Sequence, residues 1–251
     1  MRKLAALAAL CLAAAPAAAQ EGVVALGAGL HYSEGNYGTP DTTRITSFQL
    51  TGRYERDRWI YKLTVPYLHV SGGQNVVPGI GAVDRSRGSS SASGIGDVVA
   101  AATWNAHYDR ESMLGIDLTG KVKLGTADES KGLGTGENDF SFGADLYKSI
   151  DRMTLFAGLG YTVFGDPPGF RLDNGFYWSL GAAWKLPPRD SIGVSLDGRQ
   201  AITPGSGAQR ELTGFWTRAL DAVWKVQAYL LVGLADGSPD WGGGLTLARP
   251  F

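Results

Sequence analysis

Hydrophobic and polar residues alternate along most of the chain. In the clearest segment, residues 113–124, apolar side chains occupy even positions, whereas polar ones such as Asp117 and Thr119 occupy odd positions. Successive side chains of a β-strand point to opposite faces of the sheet. The pattern therefore predicts a strand with one apolar and one polar face.

Twelve segments of this kind are predicted, and helical periodicity is weak throughout. Strands of about ten residues with this repeat are typical of transmembrane β-barrels. No stretch of 18 apolar residues follows the N-terminal region, so the sequence predicts no membrane-spanning helix. The predicted strands lie near residues 22–33, 43–55, 58–71, 95–108, 112–125, 138–149, 152–164, 174–186, 191–202, 210–219, 223–235 and 241–251.

The connections between these strands alternate in length. One series consists of tight turns that contain Asp, a residue that hydrogen-bonds its own backbone in turns, as at Asp57 and Asp151. The other series is mostly longer and rich in Gly, Ser, Pro and Asp, and its longest member is Gly72–Gly94. Short turns on one side and long loops on the other are typical of an outer-membrane β-barrel. The predicted fold class is therefore all-β, a twelve-stranded antiparallel transmembrane barrel with both ends on the periplasmic side.

Aromatic residues cluster beside the short turns, as Trp59, Trp104 and Trp224 do, which indicates a girdle at the periplasmic interface. The alternative is the aromatic core of a soluble β-sandwich, which would not need so many rings at one depth. Phe251 closes an amphipathic last strand and resembles the signal that the barrel-assembly machinery reads. Arg249 breaks the apolar pattern of that strand, although a long side chain near the interface can reach the polar region.

The N-terminal residues have the features of a secretory signal peptide. Arg2 and Lys3 precede an apolar run and a small-residue cleavage site, so residues 1–19 are predicted to be removed and residues 20–251 to form the barrel. Cys11 leaves lipoprotein processing as a minor alternative. Export without disulfides favours a Gram-negative outer membrane, where lipid and lipopolysaccharide would surround the protein.

Composition excludes several functional classes. The 23 basic and 24 acidic residues give a net charge of −1, which provides no basic excess for nucleic acid. The single Cys excludes a disulfide scaffold and a cysteine-rich metal site. We expect no cofactor and no metal ion.

The polar face of the strands would line the lumen. A polar pore with a selective zone is one interpretation, and a salt-bridged interior that only stabilises the barrel is the other. Inward glycines such as Gly158 and Gly181 are compatible with open space or with tight packing. The lumen-lining candidates are Arg53, Lys62, Asp97, Asp117, Lys121, Lys123, Asp145, Asp197, Arg199 and Lys225.

Signals for catalysis are weak. The alternation predicts that His31 and His107 face inward and that His69 faces outward, close to Ser71. A lipid-modifying barrel enzyme would need a Ser–His pair on its outer surface. No G-x-S-x-G motif accompanies this pair, and we expect no enzymatic activity.

Three segments carry a family resemblance. Ser93-Gly94-Ile95-Gly96-Asp97 resembles the S-G-x-G-D element of the outer-membrane family named for the MetA pathway of phenol degradation. The strand ending in Pro66-Tyr67 and the aromatic segment 138–143 resemble two further elements in the same order. The resemblance implies an outer-membrane transporter of small solutes, linked to aromatic or hydrophobic compounds, without catalytic residues. It also makes Asp97 the polar motif residue most worth testing.

The sequence thus favours a channel or transporter through which small molecules pass passively. The alternative is a closed structural barrel whose outer loops, chiefly Gly72–Gly94, bind a ligand.

Overall fold

The computed structural model describes residues 22–84, 86 and 88–251, and the signal peptide expected at residues 1–19 lies outside these ranges. Nearly all regular structure in them is β-strand, and no helix there is long and apolar enough to cross a membrane. The strands are β1 (Val23–Gly35), β2 (Thr43–Arg56), β3 (Trp59–Gly72), β4 (Val76–Val77), β5 (Gly81–Ala82), β6 (Ser91–Ile95), β7 (Val99–Asp109), β8 (Leu114–Lys123), β9 (Asp139–Ile150), β10 (Met153–Val163), β11 (Gly175–Leu186), β12 (Asp190–Arg199), β13 (Gln209–Ala219), β14 (Lys225–Gly233) and β15 (Trp241–Pro250), with one 3₁₀ turn at Glu129–Lys131.

Twelve spans close into an antiparallel barrel, which confirms the predicted fold class. β6 and β7 form a single span that is interrupted at residues 96–98, and both pair with β3. The first and last strands close the cylinder, with Ala25 opposite Pro250 and Glu34 opposite Trp241. β4 and β5 form a separate two-stranded hairpin within the loop that follows β3.

The connections alternate in length as predicted, with short turns at one end and long loops at the other. Asp57 and Asp151 begin the two-residue turns and adopt left-handed backbone angles, with φ of 55° and 52°. Asp tolerates this conformation better than most residues. The short turns therefore mark the periplasmic end, and the long loops mark the extracellular mouth.

The outer face of the barrel is apolar and carries an aromatic girdle. Trp59 stacks on Tyr61 and Trp104, with ring centroids 5.9 and 6.3 Å apart, beside the periplasmic turns. Arg249 also lies at this level, and its guanidinium rests over the rings of Trp224 and Phe251. These cation–π contacts explain how a basic residue fits into an otherwise apolar face.

Aromatic rings on the inner face lie against glycines of neighbouring strands. A Cβ added to Gly193 would lie 2.2 Å from the ring of Phe215, and one added to Gly181 would lie 2.2 Å from Phe156. Tyr147 covers Gly115 and Tyr229 covers Gly244 in the same way. These glycines therefore accommodate flat rings within the lumen. Tyr147, Phe156, Phe215, Tyr229 and Leu231 form one buried cluster.

A bulge in β7 changes the orientation of the residues that follow it. Asn105 pairs with Asp117, but His107 pairs with Ile116, so Ala106 has no opposite residue. Residues opposite each other share a face, and Ile116 faces outward. The predicted inward orientation of His107 is therefore wrong. Tyr108 instead faces inward and stacks on Tyr147.

The rings that cover glycines lead to a test of packing. We expect Gly193→Val to lower the free energy of unfolding by about 1–3 kcal/mol, because the added side chain overlaps Phe215. Gly214→Val is the matched control, since Gly214 lies on the outer face of β13 with no atom within 4 Å of an added Cβ. Urea unfolding in detergent micelles measures both, and equal stability of the two variants would contradict the packing argument.

Candidate functional site

The strand register places nine of the ten lumen-lining candidates on the inner side of the barrel, and the tenth, Asp97, reaches the inward Lys123 from the interruption between β6 and β7. Arg53 and Lys62 are opposite each other on β2 and β3, near the periplasmic end. Asp117 and Lys121 share β8 at two depths, and Asp145 follows on β9. Lys225 begins β14. The remaining candidates lie toward the extracellular side, Lys123, Asp197 and Arg199 near the ends of their strands and Asp97 between β6 and β7. Their part in selecting solutes stays a prediction.

Several inward charges are segregated by sign along two rows of paired residues, whereas Lys123 lies opposite Asp139 and Arg53 also forms an ion pair with Glu55. One row contains Arg53 and Lys62 and continues through Ala101 to Lys121. A second row contains acidic side chains and continues through Gly158 and Ser179. Its carboxylates are Asp117, Asp145, Asp197 and Glu211. The wall therefore places like charges directly opposite each other on three strand pairs, an arrangement that costs stability.

A buried ion cluster joins the family motif to the extracellular loops. The Nζ atom of Lys123 lies 2.8 Å from Asp97 and 3.1 Å from Asp139, and it donates to the hydroxyl of Thr135 at 2.8 Å. Asp97 also accepts the backbone N–H of Ala127 at 3.0 Å. Asp97 thus anchors the loop of residues 124–138 to the barrel wall.

Loop side chains enter the lumen at its extracellular end. Leu133 of the loop 124–138 and Tyr37 of the loop 36–42 pack against the inward residues Ile45, Leu68 and Val70. Burial raises the pKa of Tyr37 to about 12, so this hydroxyl stays neutral over the physiological range. The loops thus narrow the mouth on the side of β2 and β3.

The loop after β3 reaches across the mouth, and we call its residues 73–84 the lid. Its hairpin turns at Val77-Pro78-Gly79-Ile80, where the N–H of Ile80 donates to the carbonyl of Val77 at 3.1 Å. Gly79 has a φ of +79°, which an L-residue rarely adopts. Pro followed by such a glycine is the signature of a type II turn. This turn directs two carbonyl groups away from the hairpin.

The tip of the lid docks on the opposite wall. Five spans separate β3 from β12 in either direction around the barrel. Arg199 of β12 donates from Nη1 to the carbonyl of Gly79 at 2.8 Å and from Nη2 to the carbonyl of Ile80. Thr203 donates its hydroxyl to the carbonyl of Ala82 at 2.9 Å. Apolar lid residues pack there on residues of the loops after β10 and β12, in a cluster of Val77, Ile80, Val83, Phe164, Leu172 and Ile202.

Sequence reasoning missed several of these residues. Glu211 completes the acidic row, and Thr135 completes the ion cluster. The sequence places the lid within the outer loop Gly72–Gly94 but does not predict that it crosses the mouth. Its turn carried a usable signal, because Val76-Val77-Pro78-Gly79-Ile80 is an apolar stretch around a Pro-Gly pair inside an outer loop.

The histidine considered for catalysis does face outward. Nδ1 of His69 lies 2.7 Å from the hydroxyl of Ser93, not of Ser71, on the neighbouring strand β6. In the part of the chain that the structure describes, no carboxylate bonds this imidazole, and a third group normally orients a catalytic histidine. The same residues contain no group of three or more His, Cys, Asp or Glu that could hold a metal ion.

The ion cluster allows a test of how the family motif supports the fold. We expect Asp97→Ala to lower the free energy of unfolding by about 2–3 kcal/mol, because Lys123 is buried and loses one of two carboxylates. Asp173→Ala removes the exposed ion pair with Arg171 and should leave stability unchanged. Chemical unfolding of both variants measures the difference. A stable Asp97→Ala variant would show that the cluster does not anchor the loop.

Known proteins share this architecture. An outer membrane channel from Pseudomonas putida F1 superposes with a TM-score of 0.72 at 15% identity, covering 95% of this chain and 100% of that chain. The KdgM porin superposes with a TM-score of 0.52 at 10% identity, covering 90% and 99%. No curated protein sequence matches significantly. These likenesses and the apolar belt identify a bacterial outer-membrane β-barrel.

The family model described as "Putative MetA-pathway of phenol degradation" matches residues 30–222. Because this match spans most of the barrel, the chain belongs to that family.

Proposed function

We propose that the protein is a passive channel for small molecules across the outer membrane. The segregated charges of the inner wall carry this proposal. An interior that only stabilised the barrel would pair opposite charges throughout, as Lys123 and Asp139 do, whereas three other strand pairs here hold like charges opposite each other. Such rows would instead act on a passing solute, as charged pore linings do.

The relatives support the same function. The two superposed proteins are described as an outer membrane channel and a porin, and the first covers nearly the whole barrel. We therefore propose that solutes diffuse down their gradient through the lumen, filtered by its width and by the inward charged residues.

The buried ring cluster suggests the class of solute. Tyr147, Phe156, Phe215 and Tyr229 give the lumen an apolar, aromatic section beside the acidic row, with Tyr147 two residues from Asp145 on β9. Aromatic rings bind apolar and aromatic molecules through large, flat contact areas. Small aromatic or hydrophobic compounds are therefore the solutes that we propose.

The remaining sequence expectations complete this proposal. Residues 1–19 would direct export and be cleaved, leaving residues 20–251 as the barrel, in contact with lipid and lipopolysaccharide. The barrel-assembly machinery would recognise Phe251, whose backbone N–H donates to the carbonyl of Val24 at the closing seam. The closed, loop-binding barrel is the competing function, and the fit of the lid into the mouth favours it. A measurement of ion conductance distinguishes the two functions, because a channel conducts ions and a closed barrel does not.

Single-channel recording in planar bilayers is the direct test of the channel. We expect discrete conductance steps from the folded protein. A preference between cations and anions should then depend on Asp145. Asp145→Asn is expected to lower the cation preference and also to raise the free energy of unfolding by about 0.2–1 kcal/mol, because it relieves repulsion by Asp117.

Lys148→Gln is the matched control for charge. Lys148 lies on β9 near Asp145 but is exposed on the outer face, so its loss should leave the ion preference unchanged. Protein that is folded by heat-shift electrophoresis but never conducts would refute the channel. A destabilised Asp145→Asn variant would show that this carboxylate serves the fold.

A further inference from the structure

We propose that Arg199 is a binding site for the carboxylate of a small apolar acid, and that the lid leaves Arg199 when this acid binds. The inference rests on the proposed channel function and adds to it a ligand class and a means of opening.

The partners of Arg199 are weak for a buried cation. Its side chain is only 9% exposed, and its two acceptors are the neutral carbonyls of Gly79 and Ile80. Nε is buried without a hydrogen-bond partner. Glu211 on the neighbouring strand attracts this guanidinium, but no carboxylate of the described residues forms an ion pair with it. A carboxylate would engage Nε and Nη together, in the bidentate geometry that guanidinium groups favour.

The surface around Arg199 defines the rest of the ligand. Phe164, Leu172 and Ile202 contact the apolar lid residues Val77, Ile80 and Val83, and they would be uncovered if the lid rose. A molecule with one carboxylate and a small apolar body could replace the lid at both the guanidinium and the apolar cluster. This apolar surface favours short-chain or aromatic acids over inorganic anions.

The acidic neighbours limit the charge of the ligand. Asp197, which accepts the hydroxyl of Ser195 at 3.0 Å, and Glu211 are opposite each other beside Arg199 on the inner wall. Their repulsion favours a singly charged acid over a phosphate or a dicarboxylate.

The closed lid and the acid compete for the same donors. The acid therefore binds only the state in which the lid is raised, and it shifts the population toward that state. Among the described residues, the tip is held by two carbonyls on Arg199, one hydrogen bond from Thr203 and one apolar cluster. The equilibrium can therefore respond to a weak ligand.

A disulfide lock tests the lid. Ala82→Cys and Thr203→Cys place two thiols where a hydrogen bond joins the residues, and oxidation or a short bifunctional thiol reagent closes the link, verified by mass spectrometry. We expect the linked protein to lose conductance and to regain it on reduction. Each single-cysteine variant is the control and should conduct as the wild type does. Unchanged conductance in the linked protein would overturn the lid.

A pair of matched solutes tests the site. Sodium butyrate at constant ionic strength should raise the open probability of the wild type, whereas butyramide, its neutral counterpart, should not. Arg199→Met should raise the open-to-closed ratio about tenfold or more without ligand, because hydrogen bonds to a charged group are strong, and it should abolish the response to butyrate. Arg210→Met removes an exposed arginine of the outer face at the same end and should change neither property.

The outcomes separate this inference from the proposed function. An equal butyrate response in Arg199→Met, or an equal response to butyramide, would overturn the carboxylate site while leaving the channel intact. Folded protein that never conducts, even as Arg199→Met, would refute the channel and this inference with it.

Discussion

The pairing of β1 with β15 is the interaction on which the rest of the structure depends. A strand edge exposed to lipid would leave a row of N–H and C=O groups without partners, and each such group costs several kcal/mol in the bilayer. Ten residue pairs join the two strands, from Ala25–Pro250 to Glu34–Trp241. Closure therefore supplies the backbone with partners over its full circumference, and side chains are left free to differ between the two faces.

The two faces follow different rules because they meet different surroundings. The outer face needs only to match lipid, so large apolar residues recur there with little constraint on their identity. The inner face is crowded, and its rings fit because glycines on the adjacent strand leave room for them, as Gly193 does for Phe215. Stability of the closed wall permits like charges such as Asp117 and Asp145 to remain opposite each other.

Most of the fold could be predicted from the sequence, because in a membrane barrel each strand shows its two faces directly in its own alternation. The twelve spans and the alternating loop lengths followed from that local signal. The orientation of His107 could not, since the bulge at Ala106 depends on how β7 pairs with β8. The charged rows could not be predicted either, because only the register of four strands aligns residues such as Asp145 and Asp197 in one row. The docking of Gly79 on Arg199 joins residues 120 apart in the chain, a contact that no local pattern encodes.

The lid has a mechanical consequence besides covering the mouth. It runs along a diameter, from the end of β3 to Arg199 on the strand halfway around the wall. A cylinder without a solid core is easily flattened into an ellipse, and a tie between opposite points resists widening along its own direction. While it is docked, the lid therefore resists widening of the extracellular rim along this direction, and such widening would pull on the Arg199 contact.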